Sequence, residues 1–560
     1  MVTRPAQVPY FLALVALLSV QGLYANSTIT LRNVAPEAEL VAQLRCGGQE
    51  KKWIFEVNGT GAAWLDYDND GWLDLLIVNG STVEQLRLVL SGKPVSDSQE
   101  GVFLYRNLGD ARFEDVTSDS GLSHPFWGTG ANAADFDNDG HIDILITTIG
   151  LDLLYRNNGD GTFTAISRAA GLSRNVAWHT GSSFGDYDGD GHLDLYIAGY
   201  LDIHAISLEE PVSTPCKYKG LSVFCGPVGL KGAKDILYHN NGDGTFTDVT
   251  DEAGVEDAST RFGFGVVFED FNEDDKVDIF IANDSGPNYL YNNLGDGRFE
   301  ESGLTDGVAF NADGDGQADM GIATGDYDND GKLDIVTTTF SDDYFPVFKK
   351  QQVGFFEDAS FDAGLTEATM PLLGWACSFA DLDNDGDKDL WAANGHVYSE
   401  ISKVSNSTYF QPFSVFENMK GKFHAAGRPS IPENSYRGGA QGDFNNDGRM
   451  DVIVLPIAGP PVLLANESRS GHSWLGFRLE GKQSNRDGIG AAVRIEHCDQ
   501  VQFDRVRNGG GYLSRNDGRL HFGLGACRKV DRVVVRWPRG KLQILEDVAA
   551  DQYVTVVEPL

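Results

Sequence analysis

Residues 66 to 74 read DYDNDGWLD, and close copies of this acidic nonapeptide recur along the chain. The seven copies begin at Asp66, Asp135, Asp186, Asp270, Asp326, Asp381 and Asp443. Carboxylates at alternate positions repel one another, and they are costly to bury unless a cation neutralises them. The repeat therefore predicts a repeated fold and a cation-binding chemistry together.

Short apolar runs follow most copies of the nonapeptide. LLIV follows Asp74 and ILIT follows Asp143, while small or apolar residues precede each copy. Runs of four to five residues rich in Ile, Val and Leu predict buried strands rather than helices. Successive copies start between 51 and 84 residues apart, which is the scale of one propeller blade with its loops.

A second element follows six of the seven copies. LYRNLGDARFEDVT from Leu104 is an example, and its Gly-Asp turn between apolar and alternating residues predicts a β-hairpin. Each repeat thus predicts a four-stranded antiparallel blade. The seventh repeat ends without a hairpin, and STITLRNVA near the start of the chain is predicted to supply its missing strand. The predicted fold is all-β, with a seven-bladed β-propeller over residues 27 to 468.

The pattern changes near residue 470. Residues 471 to 560 lack the acidic repeat and carry a net charge of +3, which leaves −41 for the rest of a chain whose total is −38. Alternating runs such as AAVRIEHC and VDRVVVRWP predict a small C-terminal β domain over this segment. The strongly acidic total argues against a nucleic-acid partner.

The N-terminus predicts export. Arg4 precedes an apolar run that is shorter than a membrane span, so residues 1 to 25 are interpreted as a signal peptide, with an uncleaved anchor as the alternative. No other segment is apolar enough to span a bilayer. The expected location is secreted or extracellular, or the periplasm or cell surface in a bacterium. In such a compartment Cys216 could pair with Cys225, and Cys498 with Cys527.

The spacing of the acidic loop favours Ca²⁺. Ca²⁺ takes six to eight oxygen ligands, and side chains at positions 1, 3, 5 and 9 with a backbone carbonyl at position 7 can supply them. The predicted ligands are Asp66, Asp68, Asp70, Trp72, Asp74; Asp135, Asp137, Asp139, His141, Asp143; Asp186, Asp188, Asp190, His192, Asp194; Asp270, Asn272, Asp274, Lys276, Asp278; Asp326, Asp328, Asp330, Lys332, Asp334; Asp381, Asp383, Asp385, Asp387, Asp389; and Asp443, Asn445, Asp447, Arg449, Asp451. Five to seven bound Ca²⁺ ions are expected.

Two alternatives to these calcium loops were weighed. An EF-hand needs an acidic residue at position 12, and all seven copies lack it; metal-free polar turns are the other alternative. In the fourth copy Asp275 replaces the turn glycine, and Asp tolerates a left-handed backbone better than most residues. Residues 311 to 319, NADGDGQAD, match the spacing, but no apolar strand follows Asp319.

Signs of an enzyme are few. The chain has 11 His and contains no G-x-S-x-G, H-E-x-x-H or Walker sequence. Trp178 and His179, before the third loop, and Trp375 and His396, beside the sixth, are candidate ligand contacts at one end of the propeller channel. Packing or a hydrogen bond within a loop is the alternative role for each.

The C-terminal segment has its own candidate ligand contacts. Arg515, Asn516, Asp517 and His521 could form a polar pocket. The alternative interprets Gly509–Gly511 and the sequence around Asn516 as turns.

The acidic loops with their flanking strands resemble the FG-GAP/VCBS-type propeller repeats that are also seen in integrin α-subunit heads. NRDGIGAAVRI from Asn485 and LHFGLGA from Leu520 resemble an ASPIC/UnbV domain. Repeats followed by such a domain resemble the cartilage acidic protein family and its bacterial relatives. The resemblance implies a secreted calcium-binding protein with adhesion or ligand-binding roles, and it implies no known reaction.

Two functional hypotheses follow. The first is a secreted, calcium-binding propeller scaffold that binds an extracellular protein or glycan. The second is a secreted hydrolase or lyase that acts on polysaccharide from a site in the propeller channel. A convergent cluster of His, acid and Arg side chains in the channel would favour the enzyme, and a flat aromatic and polar face would favour the scaffold.

Overall fold

The structure is a computed structural model that describes residues 29–93, 101–122, 126–172, 176–205, 208, 216–256, 261–352 and 354–560. Its secondary structure is almost wholly β-strand, which confirms the predicted all-β class. The predicted signal peptide, residues 1 to 25, lies outside the described residues. In the described ranges no helix is both long and apolar enough to cross a membrane.

Seven four-stranded antiparallel units, named units 1 to 7 here, follow one another along the described chain; five are separate sheets, and units 2 and 3 are joined into one eight-stranded sheet where Ala177 pairs with Gly150 and Trp178 with Ile149. The strands of units 1 to 3 are Ala62–Leu65, Asp74–Val78, Val102–Asn107 and Phe113–Asp115; Gly128–Ala134, Asp143–Gly150, Leu153–Asn157 and Phe163–Ala165; and Ala177–Gly185, Asp194–Leu201, Ile236–Asn240 and Phe246–Asp248. Those of units 4 and 5 are Phe262–Glu269, Asp278–Asp284, Tyr289–Asn293 and Phe299–Glu301; and Ile322–Gly325, Asp334–Thr337, Val347–Gln352 and Phe355–Asp358. Those of units 6 and 7 are Gly374–Ala380, Asp389–Asn394, Ser414–Asn418 and Phe423–Ala425; and Tyr436–Gly442, Asp451–Pro456, Val462–Asn466 and Leu31–Asn33.

The units form a closed ring. The first strand of each unit contacts the first strands of the units before and after it, and unit 7 contacts unit 1 in the same way. Leu31–Asn33 pairs antiparallel with Val462–Asn466, so the predicted strand from the start of the chain completes unit 7. Joining both ends of the chain in one unit leaves the ring without an open seam, as in a propeller-like fold.

Short helical segments and two smaller strand pairs lie outside the four-stranded units. Helical segments are Ile54–Glu56, Val83–Leu90, Thr117–Ser120, Ile203–Ala205, Thr250–Ala253, Gly303–Asp306, Ser360–Ala363, Thr366–Thr369 and Ile401–Lys403. Two short strand pairs are Leu44–Arg45 with Ala458–Gly459, and Cys216–Tyr218 with Leu221–Val223. A disulfide joins Cys216 to Cys225 as predicted.

The C-terminal part forms two further sheets. One contains Leu520–Gly525, Ser473–Glu480 and Gln552–Val557; the other contains Gln500–Arg505, Ala492–His497, Lys529–Arg536 and Leu542–Ala549. The predicted Cys498–Cys527 disulfide is present, while Cys46 and Cys377 are free and buried. The last ring strand in sequence ends at Asn466 and the next sheet begins at Ser473, so we propose the domain division near residue 470.

One segment of the C-terminal part enters the centre of the ring. Residues 508–517, NGGGYLSRND, are named the hub segment here. Hydrogen bonds join it to the first strand of every unit, at Ala62, Ala131, Ser183, Val266, Ile322, Ser378 and Gln441. Tyr512 of the hub segment is fully buried between Phe264 and Trp375. The ring and the C-terminal sheets are therefore interlocked, which the sequence patterns did not predict.

Candidate metal centres

All seven acidic loops connect the first strand of a unit to its second strand and share one hydrogen-bonded geometry. In every loop the backbone N–H of position 6 donates to the Oδ2 of position 1, at 2.8 to 3.3 Å. Position 6 has a positive φ, which is 88° at Gly71. Glycine adopts this backbone without strain, and the sharp turn folds the carboxylates of one loop towards a common centre.

The position-9 aspartates close the loops. Each accepts a backbone N–H from the third strand of its unit, at 2.7 to 2.9 Å. Asp74 also accepts the N–H of Tyr67 at 3.1 Å, and it is fully buried. These bonds hold the ninth carboxylate at the point where the loop returns, so it faces the side chains at the start of the loop.

Several loop oxygens lack a donor. Ligand oxygens of Asp135, Asp137 and Asp143 lie within 4.8 Å of one another. Comparable groups are Asp66, Asp68 and Asp70; Asp186, Asp188 and Asp194; and Asp326, Asp328 and Asp334. Asp66 Oδ1, Asp186 Oδ1, Asp328 Oδ1 and Asp334 Oδ2 are buried without a hydrogen-bond partner among the described residues. Buried acceptors are normally satisfied, so converging unsatisfied carboxylate oxygens fit a bound cation.

The electrostatics of the loops agree with this geometry. Burial and, to a lesser extent, the other carboxylates of each loop raise the pKa of Asp74 and of Asp143 to about 9. The pKa of Asp334 rises to about 8 for the same reasons. A divalent cation favours the ionised form and opposes both effects. A cation at the centre of a loop would therefore stabilise its carboxylates in the ionised form.

Neighbouring loops are tied together around the ring. The position-4 asparagine donates to the position-6 carbonyl oxygen of the next loop, as from Asn69 to Gly140 at 3.0 Å. The same contact links Asn138 to Gly191, Asn329 to Gly386, Asn384 to Gly448 and Asn446 to Gly71. These asparagines have φ between 55° and 61°, a left-handed backbone that Asn tolerates. The asparagine of the D-N-D-G sequence therefore forms contacts between neighbouring loops, in addition to the contacts that the other residues form within each loop.

A second ring of hydrogen bonds was missed in the sequence. In each unit a residue of the third strand, the last one in every unit except unit 5, reaches the position-2 carbonyl of the preceding unit. Asn240, for example, donates to Phe136 O at 2.9 Å and to Leu193 O at 2.9 Å. The others are Asn107, Asn157, Asn293, Lys350, Asn418 and Asn466. The recurrent asparagine in LYRN, LYHN and LYNN is the signal that could have revealed this ring.

Cations beside position 3 were also missed. Arg106 lies 3.0 Å from the Asp68 carboxylate, and Arg156 lies 2.9 Å from that of Asp137. His239 lies 3.4 Å from Asp188 and 3.2 Å from Asp194. These residues directly precede the recurrent asparagine, so they orient the third-position carboxylates from outside the loop.

The fourth loop folds although it lacks the turn glycine. Asp275 takes a φ of 70°, and its N–H donates to Asp270 Oδ2 at 3.3 Å. Arg536 pairs with the Asp275 side chain, and Arg505 lies 3.2 Å from Asp270. The C-terminal sheets therefore supply two cations to the loop that departs most from the repeat.

Residues 311–319 are arranged differently from the seven loops. Asn311 Oδ1 accepts the N–H of Asp315 at 2.9 Å, which resembles position 1 of a loop. Asp319 instead accepts from Asn288 at 2.6 Å and from Thr337 at 2.9 Å. The ninth carboxylate is thus engaged by side chains and does not close the loop.

The four predicted channel residues are buried. Trp178 and His179 are each 1% exposed, Trp375 is 2% exposed and His396 is 0% exposed. The Asp152 carboxylate lies 2.6 Å from His179 Nδ1. Burial and, to a lesser extent, the nearby Arg437 lower the pKa of His396 to about 3. Their role as ligand contacts stays a prediction, since none of the four is presented to solvent.

The predicted C-terminal pocket residues do converge. Arg515, Asn516, Asp517 and His521 line one cavity of about 70 Å³ between the ring and the C-terminal sheets. His521 Nε2 lies 3.0 Å from Gly448 O and therefore donates to it. Burial lowers the pKa of His521 to about 4.

Comparisons with known proteins agree with these features. Residues 66–146, 143–197 and 270–337 match the FG-GAP-like repeat, and residues 481–560 match the ASPIC and UnbV domain. Cartilage acidic protein 1 of Homo sapiens is 26% identical over 456 residues, covering 77% of this chain and 63% of the relative. The Xenopus tropicalis protein of that name is 24% identical over 504 residues, covering 87% and 62%. The chain thus spans a little under two thirds of the length of these relatives.

Two solved structures show a more distant likeness. One is an Agrocybe aegerita lectin described as recognising non-reducing terminal N-acetylglucosamine, with 17% identity, a TM-score of 0.36 and coverage of 71% of this chain and 86% of the lectin. The other is BBS1N in complex with ARL6DN, with 9% identity, a TM-score of 0.41 and coverage of 78% and 96%. These low scores bear on neither the fold nor the function of this chain.

The repeats, the C-terminal match and the relatives found over most of the chain lead to one conclusion. The chain carries FG-GAP-like repeats and an ASPIC and UnbV domain, and over most of its length it is similar to proteins named cartilage acidic protein 1.

Proposed function

We propose that this chain is an extracellular calcium-binding scaffold that binds a protein or a glycan. The observation that carries the calcium proposal is the set of buried, unsatisfied carboxylate oxygens at Asp66, Asp186, Asp328 and Asp334. They converge with further carboxylates in loops whose spacing suits a cation with six to eight oxygen ligands. Mg²⁺ is a poorer candidate because it rarely takes a cage made wholly of protein ligands.

The residues at positions 1, 3, 5 and 9 of each loop would hold the ion, with the position-7 carbonyl. Calcium would neutralise part of the −38 net charge of the chain. It would also link the first and second strands of each unit, because the ligands stand at both ends of the loop. The role is structural: the ions stiffen the ring that presents the binding surface.

An extracellular location is supported by chemistry. The Cys216–Cys225 and Cys498–Cys527 disulfides suit an oxidising compartment. The predicted signal peptide and the relatives named cartilage acidic protein 1 point in the same direction.

The scaffold is favoured over the polysaccharide-acting enzyme by the centre of the ring. The hub segment occupies this space and bonds to all seven units. The side chains predicted as ligand contacts at the channel, including His179 and His396, are buried. A substrate chain has no access to them in this arrangement.

Metal content is the direct test of the calcium proposal. Elemental analysis and native mass spectrometry of purified protein should find five to seven Ca²⁺ ions. Asp68→Ala should remove one ion without unfolding the chain, whereas Asp110→Asn should remove none, because Asp110 is exposed outside the loops and pairs with Arg112. Two ions or fewer in the wild-type protein would show that most loops are metal-free turns.

The binding role needs a separate test. A glycan array and a pull-down from extracellular matrix extract should each be performed in Ca²⁺ and in excess chelator. The scaffold proposal expects a reproducible ligand in Ca²⁺, with weaker binding after chelation. Turnover of a polysaccharide by the purified protein, abolished in a His179→Ala variant, would favour the enzyme instead.

A further inference from the structure

Arg515 is a buried guanidinium without a carboxylate partner. It is 6% exposed, and no described acid lies within ion-pair distance of it. Its Nη1 donates to Trp64 O at 2.6 Å, while its Nε has no hydrogen-bond partner among the described residues. A buried charge of this kind is costly unless something pairs with it.

Arg437 shows how the same fold satisfies a structural arginine. It is also fully buried and has no acidic partner, yet its donors reach carbonyl oxygens of Val57, Gly395 and Tyr436. Its guanidinium also lies over the ring of Trp375, 4.1 Å from the centroid. The Nε of Arg515 has no such hydrogen bond, so contacts within the fold satisfy only part of this guanidinium.

The Arg515 side chain opens on a cavity. A space of about 450 Å³ lies between the first two units, the seventh unit and the C-terminal sheets, with Arg515 in its wall. This volume is within the range of small-ligand sites. Trp72, Tyr553 and the exposed Thr555 also line it. The Tyr553 ring is already covered by Arg519, whose guanidinium lies 4.2 Å from the ring centroid, and it packs against Trp474.

The charged side chains that line the cavity indicate which class of ligand it can bind. The other three arginines of the cavity have carboxylate partners: Arg478 with Asp66, Arg486 with Glu480, and Arg519 with Asp517. Arg515 is therefore the guanidinium left to an incoming anion. Because Asp487 and Glu480 also line the cavity, a monoanion fits better than a dianion.

We propose that this cavity binds a sugar acid of the hexuronate class. Its carboxylate would lie on Arg515 and its ring against Trp72. A guanidinium is the side chain best shaped for a carboxylate, and an aromatic side chain suits the apolar face of a sugar ring. The inference rests on the proposed function in one respect: calcium in loops 1 and 2 would neutralise Asp66 and Asp135, which also line the cavity.

Calorimetry with the full chain in Ca²⁺ tests the inference. D-glucuronate should bind, and D-glucose, which differs by the carboxylate, should bind at least about tenfold more weakly. Arg515→Gln should weaken glucuronate binding about tenfold or more. Arg494→Gln is the matched control, because Arg494 lies on an exposed face of the same sheets and pairs with Glu496; its affinity should be unchanged.

A second variant protects the test against misfolding. Thr555→Trp places a large ring at an exposed position of the cavity wall and should also weaken glucuronate binding. Equal affinity for glucose and glucuronate, tighter binding of inorganic phosphate, or full binding by Thr555→Trp would each overturn the inference. Calcium content measured on the same samples separates the two proposals, since absent glucuronate binding with full calcium refutes only the cavity.

The source of the sugar acid can be distinguished with the same protein. A glucuronate-terminated oligosaccharide that binds more tightly than the free acid would assign the site to the end of a glycan. Tighter binding of the free acid would assign it to a soluble metabolite. Either result supports the cavity as a sugar-acid site.

Discussion

The two oxygens of a single loop carboxylate, such as that of Asp66, make different contacts. Asp66 Oδ2 accepts the N–H of Gly71 at 3.1 Å, while its Oδ1 is buried without a donor. The first oxygen fixes the loop, and the second is free for a cation. Because one oxygen alone holds the turn, the loop can take its shape before any ion binds.

The His179–Asp152 pair predicts a pH-dependent stability. Burial alone would lower the pKa of His179, but the Asp152 carboxylate raises it above the ordinary 6.5. A raised folded-state pKa contributes stability that is present below the unfolded pKa and is lost as pH rises through the folded pKa. Asp152→Asn should therefore lower the melting temperature more at about pH 6 than at about pH 9. Glu400→Gln, which breaks an exposed pair with Lys403, is the control and should show no such contrast.

Two adjacent asparagines make a matched pair for the ring between units. Asn240 is buried and donates to two backbone carbonyls, whereas Asn241 is exposed and contacts Thr245. Asn240→Ala leaves buried acceptors unsatisfied and should cost about 1–3 kcal/mol of unfolding free energy. Asn241→Ala should cost less than about 1 kcal/mol. Urea denaturation measures both, and equal losses would contradict a special role for the third-strand asparagines.

At the scale of elements, the hub segment depends on glycine. Gly509 has a φ of 95°, and a Cβ there would lie 2.5 Å from Ser183 Oγ and 2.6 Å from Val266 O. Gly540 has a φ of 80°, but a Cβ there would meet nothing within 4 Å. The two glycines thus share a left-handed backbone and differ in crowding.

That difference yields a prediction. Gly540→Ala should cost about 1–3 kcal/mol from backbone strain alone. Gly509→Ala should cost more, because the ring strand must also move away from the new methyl group. Thermal melts of both variants measure the contrast. An equal loss would mean that the hub segment can shift within the ring at little cost.

Sequence patterns predicted the repeated elements better than their connections. The nonapeptide and the hairpin fixed the strands of each unit, because both are local signals of turn chemistry and apolar alternation. The closing strand at Leu31–Asn33 was also predicted, since it resembles its six counterparts. The hub segment was not: its contacts at Ala62 and Ser183 are more than 300 residues away, and GGGY reads locally as a turn. Likewise the burial of Trp178 and His396 could not be predicted locally, because it results from packing in the assembled ring.

At the scale of the whole molecule, charge is distributed for docking. The C-terminal part, with net charge +3, lies against the acidic loops of the ring, and the chain before residue 471 carries a net charge of −41. Arg478, Arg505 and Arg536 reach Asp66, Asp270 and Asp275. Of these pairs only Arg536–Asp275 is exposed on both sides, and such a pair is screened within ~8 Å at physiological salt. The apolar core shared by the two parts is therefore also needed to fix their arrangement.

Calcium removal should act on this whole assembly. Ligand binding to the folded state raises stability by mass action, so excess EGTA should lower the melting temperature by several degrees or more. Added Ca²⁺ should restore the melting temperature, and Mg²⁺ largely should not. Because the hub segment joins both parts, one cooperative transition is expected with and without calcium. An unchanged melting curve in EGTA, from protein shown to contain no calcium, would contradict the metal proposal.

The hub segment also constrains how the protein is made. During synthesis Leu31 emerges early, its partner Asn466 follows more than 400 residues later, and Tyr512 arrives last at the centre of all seven units. Contacts between such distant positions form slowly, because long stretches of chain must first be brought together. We therefore expect folding to pass through a stage in which the repeats have formed hairpins while the ring is still open and its strand edges are unpaired. A chain truncated before residue 508 would keep every repeat but would lack the hub segment, which joins the first strands of all seven units.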